Sequence, residues 1–473
     1  MINILNKLLG PLFLIFGTFF IFKNNQDLNF LSIFLLLIIF ISSLIIIFLP
    51  IFKIKYLQKL PLINLINLFF LVCYLGIFFF DKNKIFYNMY DKFDYSNSIL
   101  ILFIGYFFFH VGYFFLNFFL RKFNRKSIAF FTCTRNEILV LGIFILSGVI
   151  LFFYILEIQK IFNFLSQLKY PLLLFGTGLC FHYIIEKKQD KKFIFLLLLI
   201  LIFIPILFEL LSGSFNFPFL IIFLLYVYYL VSKQKVNIIP FILISLIFLF
   251  IHLGKYDYRS KTWSETEKNL GFFDKSKIFL NVYFSNQTKD LKFDNLIKRS
   301  DNFRIERRIF HSYWSLVIVT KETPNNIPYW DGYSYKILSS KIIPRIFWEN
   351  KPSDTLGNEF GHRYNVLTKK TETTKKDNNT SWNMPVLNEF YVNFGKFGVA
   401  IGMFLIGLFM NFISKVFNIK ESNNLEYIFS FYLFIPLFFL ESHLSLLFGA
   451  LIQSYIFLIS FSFIMLFFLR KLK

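Results

Sequence analysis

Residues 28–50 read LNFLSIFLLLIIFISSLIIIFLP and hold no charged side chain. About 20 consecutive apolar residues span the roughly 30 Å hydrocarbon layer of a bilayer as an α-helix, and a helix satisfies its own backbone polar groups in lipid. This stretch therefore reads as a membrane span. Outward from it, comparable runs recur at about 8–22, 60–80, 99–120, 138–156, 170–185, 193–211, 215–231, 236–253, 395–414, 427–441 and 447–469. The expectation is an all-α integral membrane protein with about 12 transmembrane helices. The runs at 8–22, 170–185 and 427–441 are short for the hydrocarbon. The first has Lys7 before it and no small-residue cleavage site after it, so it is kept as a span.

Composition agrees. Of 473 residues, 56% are hydrophobic, only 16% are charged, and 73 are Phe. A soluble chain could not cover that much apolar surface. A cytosolic enzyme, a secreted domain, a disordered chain and a nucleic-acid-binding protein are excluded on this ground. The Phe excess beside Ile, Asn and Lys is ordinary for AT-rich coding and carries no functional reading. Cys73, Cys133 and Cys180 have no disulfide or zinc spacing and read as small apolar fillers.

The net charge of +22 matters through its distribution. One side of the alternating topology collects Lys7, Lys53, Lys55, Lys59, Arg121, Lys122, Arg125, Lys126, Arg135, Lys187, Lys188, Lys191, Lys192, Lys233, Lys235, Lys415, Lys420, Arg470, Lys471 and Lys473. The short loops of the other side hold Lys23, Lys82, Lys84, Lys92, Lys160 and Lys169. By the positive-inside rule both termini are cytoplasmic and the one long loop lies outside. The expected location is the inner (plasma) membrane of a bacterium, with that loop periplasmic or otherwise extracytoplasmic. The chain divides into an N-terminal bundle of about nine spans (1–253), the outer loop domain (254–394) and a C-terminal bundle of about three spans (395–473). The loop carries about 23 Lys and Arg against about 16 Asp and Glu, an excess a long loop tolerates because it translocates regardless of charge.

A connection of this length is a place for function. Ser300, Asp301 and Asn302 can cap a helix. From Phe303 to about Val319 the pattern suits an amphipathic helix, with Arg304, Arg308 and His311 on one face. Ile305, Ile309, Tyr313 and Leu316 then face the membrane or the bundle, and Pro324-Asn325-Asn326 ends the helix. Lys369 to Ser381, rich in Lys, Thr and Asn, reads as a mobile tip. Glu157, Glu209, His252, Glu441 and His443 fall at outer span ends, where ionisable groups can line a cavity but where charges are also routine. His110 and His182 read as packing residues inside spans.

Two further segments stand out: Gly332-Tyr333 ahead of Pro344-Arg345-Ile346-Phe347-Trp348-Glu349-Asn350-Lys351-Pro352, and Glu389-Phe390-Tyr391-Val392-Asn393-Phe394-Gly395-Lys396-Phe397-Gly398. With Phe360, Gly361 and Tyr364 between them, they resemble the Wzy-type O-antigen polymerases, also called oligosaccharide repeat-unit polymerases. The resemblance in motifs covers about 70 residues of loop. Many relatives carry Gly-Ser-Arg near the outer end of a middle span; this chain has Ser212-Gly213-Ser214-Phe215, without the Arg.

The resemblance implies the fold of multi-span lipid-dependent (GT-C-like) glycosyltransferases and a reaction. A glycan on an undecaprenyl diphosphate carrier is moved to the non-reducing sugar of another carrier-linked repeat. The expected partners are the undecaprenyl-diphosphate-linked oligosaccharide and the lipid bilayer, with a chain-length regulator protein as a further candidate and no nucleic acid. A departing diphosphate needs cations, and Arg meets two phosphate oxygens at once. Arg345, Lys351, Arg304 and Arg308 are the candidates, with Arg307 and Arg259 read first as structural, and Trp348, Tyr391 and Asn393 are those for the glycan. An acceptor hydroxyl calls for a base; Glu389, His362 and His311 are the candidate catalytic residues. No metal and no cofactor is expected, because there is no His-Glu-x-x-His, no cysteine cluster and no phosphate-cradling Gly-rich loop. The competing readings are an O-antigen ligase or other lipid-dependent glycosyltransferase, and a lipid-linked oligosaccharide flippase or transporter.

Overall fold

The structure is a computed structural model that describes residues 2–52, 60–79, 95–119, 128–158, 166–186, 192–233, 238–263, 270–284, 310–341, 343, 348, 350–351, 354–367, 382–417, 425–449 and 451–471. Among these residues the regular structure is entirely helical. Eight helices are long and apolar enough to cross a membrane: Phe30–Phe48, Leu62–Phe79, Tyr95–Leu116, Arg135–Ile155, Leu168–Glu186, Lys192–Leu211, Val386–Val416 and Leu444–Lys471. Shorter apolar helices cover Phe13–Asn24, Phe217–Lys233 and Leu425–Phe438, and another runs Ile238–Leu253. Large apolar side chains stand on the outside of these helices, for example Phe30, Phe118 and Phe203. Lipid contact accounts for that inversion of the soluble pattern.

The chain forms two compact units, each assembled from non-contiguous segments. The first comprises Met1–Arg125, Ile305–Asn418 and Leu437–Gln453. Its central pair is helix Tyr95–Phe119 against helix Val386–Val416. Glycine permits this packing. A Cβ on Gly112 would sit 2.1 Å from the Phe404 carbonyl oxygen, and one on Gly407 would sit 2.1 Å from the Phe109 carbonyl oxygen. Small residues are the usual means of close approach where no hydrophobic force separates helix contact from lipid contact. A buried polar chain ties two further helices to Tyr95–Phe119. The Tyr106 hydroxyl meets Ser42 at 2.8 Å and donates to Asn67 Oδ1 at 2.9 Å, and Asn67 Nδ2 lies 3.0 Å from His110 Nε2. His110 is thus a bonded packing residue.

The second unit comprises Lys126–Arg304, Ile419–Pro436 and Ser454–Lys473. Its core is helix Arg135–Val149 packed on helix Ser166–Glu186. Gly142 lies against Cys180, and Gly176 against Ile145 and Leu146. Thr134 and Glu137 form a reciprocal capping box at the start of the first helix. Arg470 closes the same end by donating to the carbonyls of Phe130 at 2.9 Å and Thr132 at 2.7 Å. His182 is buried, 2.6 Å from the Tyr228 hydroxyl and 3.2 Å from Glu186.

The described part of the expected 303–319 helix is helical, and it ends at the expected proline. Residues 301–309 lie outside the described residues, and helix His311–Glu322 continues three residues past Val319 before Thr323-Pro324 stops it. From His311 to Thr320 every residue is buried. The helix is therefore enclosed by protein on all sides and has no solvated basic face at His311. The 369–381 stretch lies outside the described residues.

Candidate functional site

The site is built on the first two turns of helix Val386–Val416. Pro385 precedes the helix in extended geometry (φ −58°, ψ 147°). Glu389 occupies the first turn, where a carboxylate complements the helix dipole. Residues Val386 to Asn393 are all buried. The helix then breaks at Phe394 (φ −141°, ψ 21°) and Gly395 (φ 60°, ψ −145°) and resumes as the span proper. Only glycine reaches the Gly395 geometry without strain, and a Cβ there would also lie 2.7 Å from the Tyr329 hydroxyl. The Trp330 N–H bonds the Val392 carbonyl at 2.9 Å beside the break. The start of the predicted 395–414 span coincides with this break, and the Glu-x-Tyr-x-Asn motif forms a short buried helix of its own.

Within that short helix Asn393 Nδ2 donates to the Ser334 hydroxyl at 2.9 Å and to the Glu389 carbonyl at 2.8 Å. The Tyr391 hydroxyl donates to the Thr323 carbonyl at 3.2 Å. Asn388 Nδ2 reaches the Ser315 hydroxyl at 2.6 Å. Glu389 is completely buried, and its Oε2 accepts the Leu444 N–H at 2.7 Å. Ser334, His443 and Asp354 complete the groups acting on this carboxylate. Burial and the Glu389 charge push the Tyr335 phenol above its usual range.

The Leu444 N–H belongs to the first residue of a short helix, Leu444–Phe448, whose N-cap is His443. His443 is 2% exposed. Its Nε2 lies 3.0 Å from Asp354 Oδ1, while its Nδ1 is buried and makes no hydrogen bond. Asp354 sits just ahead of helix Leu356–Arg363 and accepts the Leu356 N–H at 3.4 Å. Its Oδ2 accepts from the Ser445 hydroxyl and lies 3.1 Å from Lys341 Nζ. Burial works to raise the Asp354 carboxyl. The hydrogen bonds from His443 and Ser445 and the charges of His443 and Lys341 outweigh it and hold the group well below the usual carboxylate range. Asp354 is therefore an anion that orients an imidazole. In the neutral imidazole, with its one N–H on Nε2 directed at Asp354, Nδ1 carries the lone pair and can take a proton. This is not a nucleophilic serine arrangement, which needs the imidazole between serine and carboxylate; here Ser445 bonds the carboxylate directly.

The structure thus gathers Glu389, Asn393 and Ser334 with Asp354, His443, Ser445 and Lys341 in the first unit. Other expected residues lie apart from this constellation. His311 stacks near Trp382, ring centroids 4.9 Å apart, in a cluster with Trp314. His362 is half-buried in the last turn of helix Leu356–Arg363. Neither is among the groups acting on Glu389. Lys351 is buried, and its ammonium donates to the Ile343 carbonyl at 2.8 Å. Trp348 is exposed. Arg345, Arg304, Arg307 and Arg308 lie outside the described residues. Among the described residues no group of three His, Cys, Asp or Glu is disposed to hold a metal.

Sequence reasoning missed Asp354, Lys341 and Ser445, and it took His443 for a routine charge at a span end. Two signals were present. Asp354 stands at the N-terminal edge of a helix that it helps cap, and His443 directly precedes an apolar helical run. Their pairing across 89 residues has no local signature.

The Ser212-Gly213-Ser214 turn, in the second unit, holds an arginine drawn from elsewhere in that unit. Arg259 Nε and Nη2 donate to the Gly213 carbonyl at 3.0 and 2.7 Å, and its guanidinium stacks on Trp263 at 4.1 Å.

A family described only as a domain of unknown function, DUF8712, matches residues 47–472, and the chain belongs to it. No curated protein and no solved structure matches the chain.

Proposed function

We propose that this member of the DUF8712 family is a polymerase of lipid-linked oligosaccharide repeat units, a glycosyltransferase acting at the outer face of a bacterial plasma membrane. In this reading the four shorter apolar helices also cross the bilayer, for twelve spans in a GT-C-like arrangement with both termini cytoplasmic. The observation that carries the reading is the Lys341–Asp354–His443 network beside Glu389. It joins the loop segment 334–354 to the helix that leads into a span, which suits a substrate whose sugar is in water and whose carrier is in lipid.

In the proposed reaction Asp354 holds His443 through Nε2, and His443 Nδ1 accepts the proton of the acceptor sugar hydroxyl. The acceptor oxygen attacks the anomeric carbon of the donor glycan. The bond from that carbon to the phosphate oxygen breaks, and undecaprenyl diphosphate leaves with the electron pair. Glu389 fixes the His443–Leu444 backbone through the Leu444 N–H and favours the imidazolium as it forms. Arg345, preset by Pro344, is the proposed cation for the departing diphosphate, with Arg304 and Arg308 in support. Base removal of this kind contributes about 10²–10⁴-fold to rate.

The size profile of surface polysaccharide from a deletion strain tests the reading. Collapse of the long ladder to core lipid with one repeat unit supports a polymerase. Loss of all surface repeats with polymer retained on the carrier identifies a ligase, and single repeats held on the cytoplasmic face identify a transporter; either result overturns the proposal.

A further inference from the structure

Helix Phe272–Phe284 of the second unit belongs to the long connection read from sequence as an aqueous loop, and its surface does not fit water. Phe273 is 85% exposed, Leu280 56% and Phe284 67%. With Lys277 they stand at i, i+4, i+7 and i+11, which is one helical face. The neighbouring face is already packed. The Phe272 ring lies 4.9 Å from Phe208, and the Phe279 ring 5.5 Å from Tyr258. The Tyr283 hydroxyl donates to the Ile251 carbonyl, and its ring fills the space over Gly254.

These contacts place the helix at a definite level. Phe208 is in the last turn of helix Lys192–Leu211, one of the helices fit to cross a membrane. Ile251 is near the end of the apolar helix Ile238–Leu253. Phe272–Phe284 therefore ties together the ends of two apolar helices. The sides of those helices also present bare apolar residues, among them Leu196 and Phe203 on one and Leu246 and Ile247 on the other. Beside Ser212, where the first of them ends, the exposed Trp263 donates its indole N–H to the Ser212 carbonyl at 3.1 Å. An aromatic ring with a satisfied N–H at a span end is characteristic of the membrane–water interface.

We infer that helix Phe272–Phe284 lies in the lipid headgroup layer as an in-plane anchor. Phe273, Leu280 and Phe284 enter the acyl boundary, and Lys277 extends along them to lipid phosphate. The occupant of this face is membrane lipid, because its bare surface continues the bare surface of the helices it packs on. The segment after the 238–253 helix is then held at the bilayer, and only chain beyond residue 284 is free to form an aqueous domain.

The test uses full-length protein with Cys73, Cys133 and Cys180 replaced by alanine, reconstituted in phosphatidylethanolamine–phosphatidylglycerol vesicles. Nitroxide labels are placed singly at Phe273→Cys, Leu280→Cys and Asn281→Cys, the last on the polar side of the same helix. Collision rates with oxygen and with a water-soluble nickel chelate are measured by power-saturation electron paramagnetic resonance. Labels at 273 and 280 should favour oxygen several-fold over nickel, and the label at 281 should show the reverse. Nickel access at 273 and 280 equal to that at 281 would place the face in water. Low access to both relaxants would place it under another protein. Either result overturns the inference, and neither depends on enzymatic activity.

Discussion

Each unit buries a carboxylate–cation cluster, and the two clusters differ in what they leave over. In the second unit Glu209 meets Lys169 Nζ at 2.7 Å and the Tyr154 hydroxyl at 2.8 Å. The Lys169 ammonium also lies 4.3 Å from the Tyr154 ring centroid. No atom of these three side chains is buried without a partner. In the first unit the Asp354 carboxylate is just as fully engaged, but the Nδ1 of its partner His443 is buried and unbonded. An unpaired buried polar atom costs about 1–3 kcal/mol. A cluster that closes on itself needs only structural upkeep; one that retains such an atom is carrying a cost that function can explain.

The contrast can be broken by paired substitutions. The largest expected effect is at His443. His443→Ala should lower the elongation rate of lipid-linked repeats about 10²–10⁴-fold per folded molecule, beyond the loss of stability that follows from taking one partner away from Asp354. Comparable loss of rate and of folding would make His443 a structural residue. Glu209→Ala should behave in the opposite sense. Removing one partner of a buried pair costs about 3–5 kcal/mol, so the yield of folded protein should fall while the rate per folded molecule is kept.

A smaller effect is expected at the helix break. Gly395→Ala places a Cβ at φ 60° and 2.7 Å from the Tyr329 hydroxyl, which should cost about 1–3 kcal/mol. Because Asn393 and Glu389 lie directly before the break, activity should fall with it; an unchanged melting temperature and rate would show that the break is incidental. Asp354→Asn sharpens the comparison through pH. The Asp354 carboxyl is depressed in the folded protein, so its contribution is fully present above the ordinary carboxylate pKa near 4 and is lost as pH falls through the folded value. The stability gap between parent and variant should be flat from about pH 5 to 8 and close only in stronger acid. A gap that stays unchanged as pH falls below about 4 would mean that the carboxyl is not depressed. The smallest effect is a null one: EDTA should leave the polymerisation rate unchanged, and divalent-dependent recovery after chelation would contradict the metal-independent scheme.

Much of the membrane architecture was legible because it is local. A charge-free run such as 28–50 can only cross lipid, and the Asn-Phe-Gly-x-x-Gly sequence marked where a span begins, at the break now seen at Phe394–Gly395. Glu389 was legible for the same reason, as an acid directly ahead of a span. Asn393 was legible in the same motif, but the Lys341–Asp354–His443 network was not. His443 looked like any charge at a span end, and its meaning comes from Asp354, which reaches it only when segments far apart in sequence pack together. Within 303–319 the helix and its proline end were legible, but its surroundings were not. Spacing shows which residues share a face, but the burial of His311–Thr320 on every side is decided by the helices around it.

The central claim is that the Asp354–His443 couple removes the acceptor proton in a polymerisation reaction. Purified protein in vesicles, supplied with undecaprenyl-diphosphate-linked repeat units, tests it directly when parent and His443→Ala are compared by the length of carrier-linked product. The account predicts a ladder of multiple repeats for the parent and single repeats for the variant, both proteins being folded. Elongation by His443→Ala at the parental rate would contradict the assigned base, and a folded parent that forms no product longer than one repeat would contradict the polymerase itself.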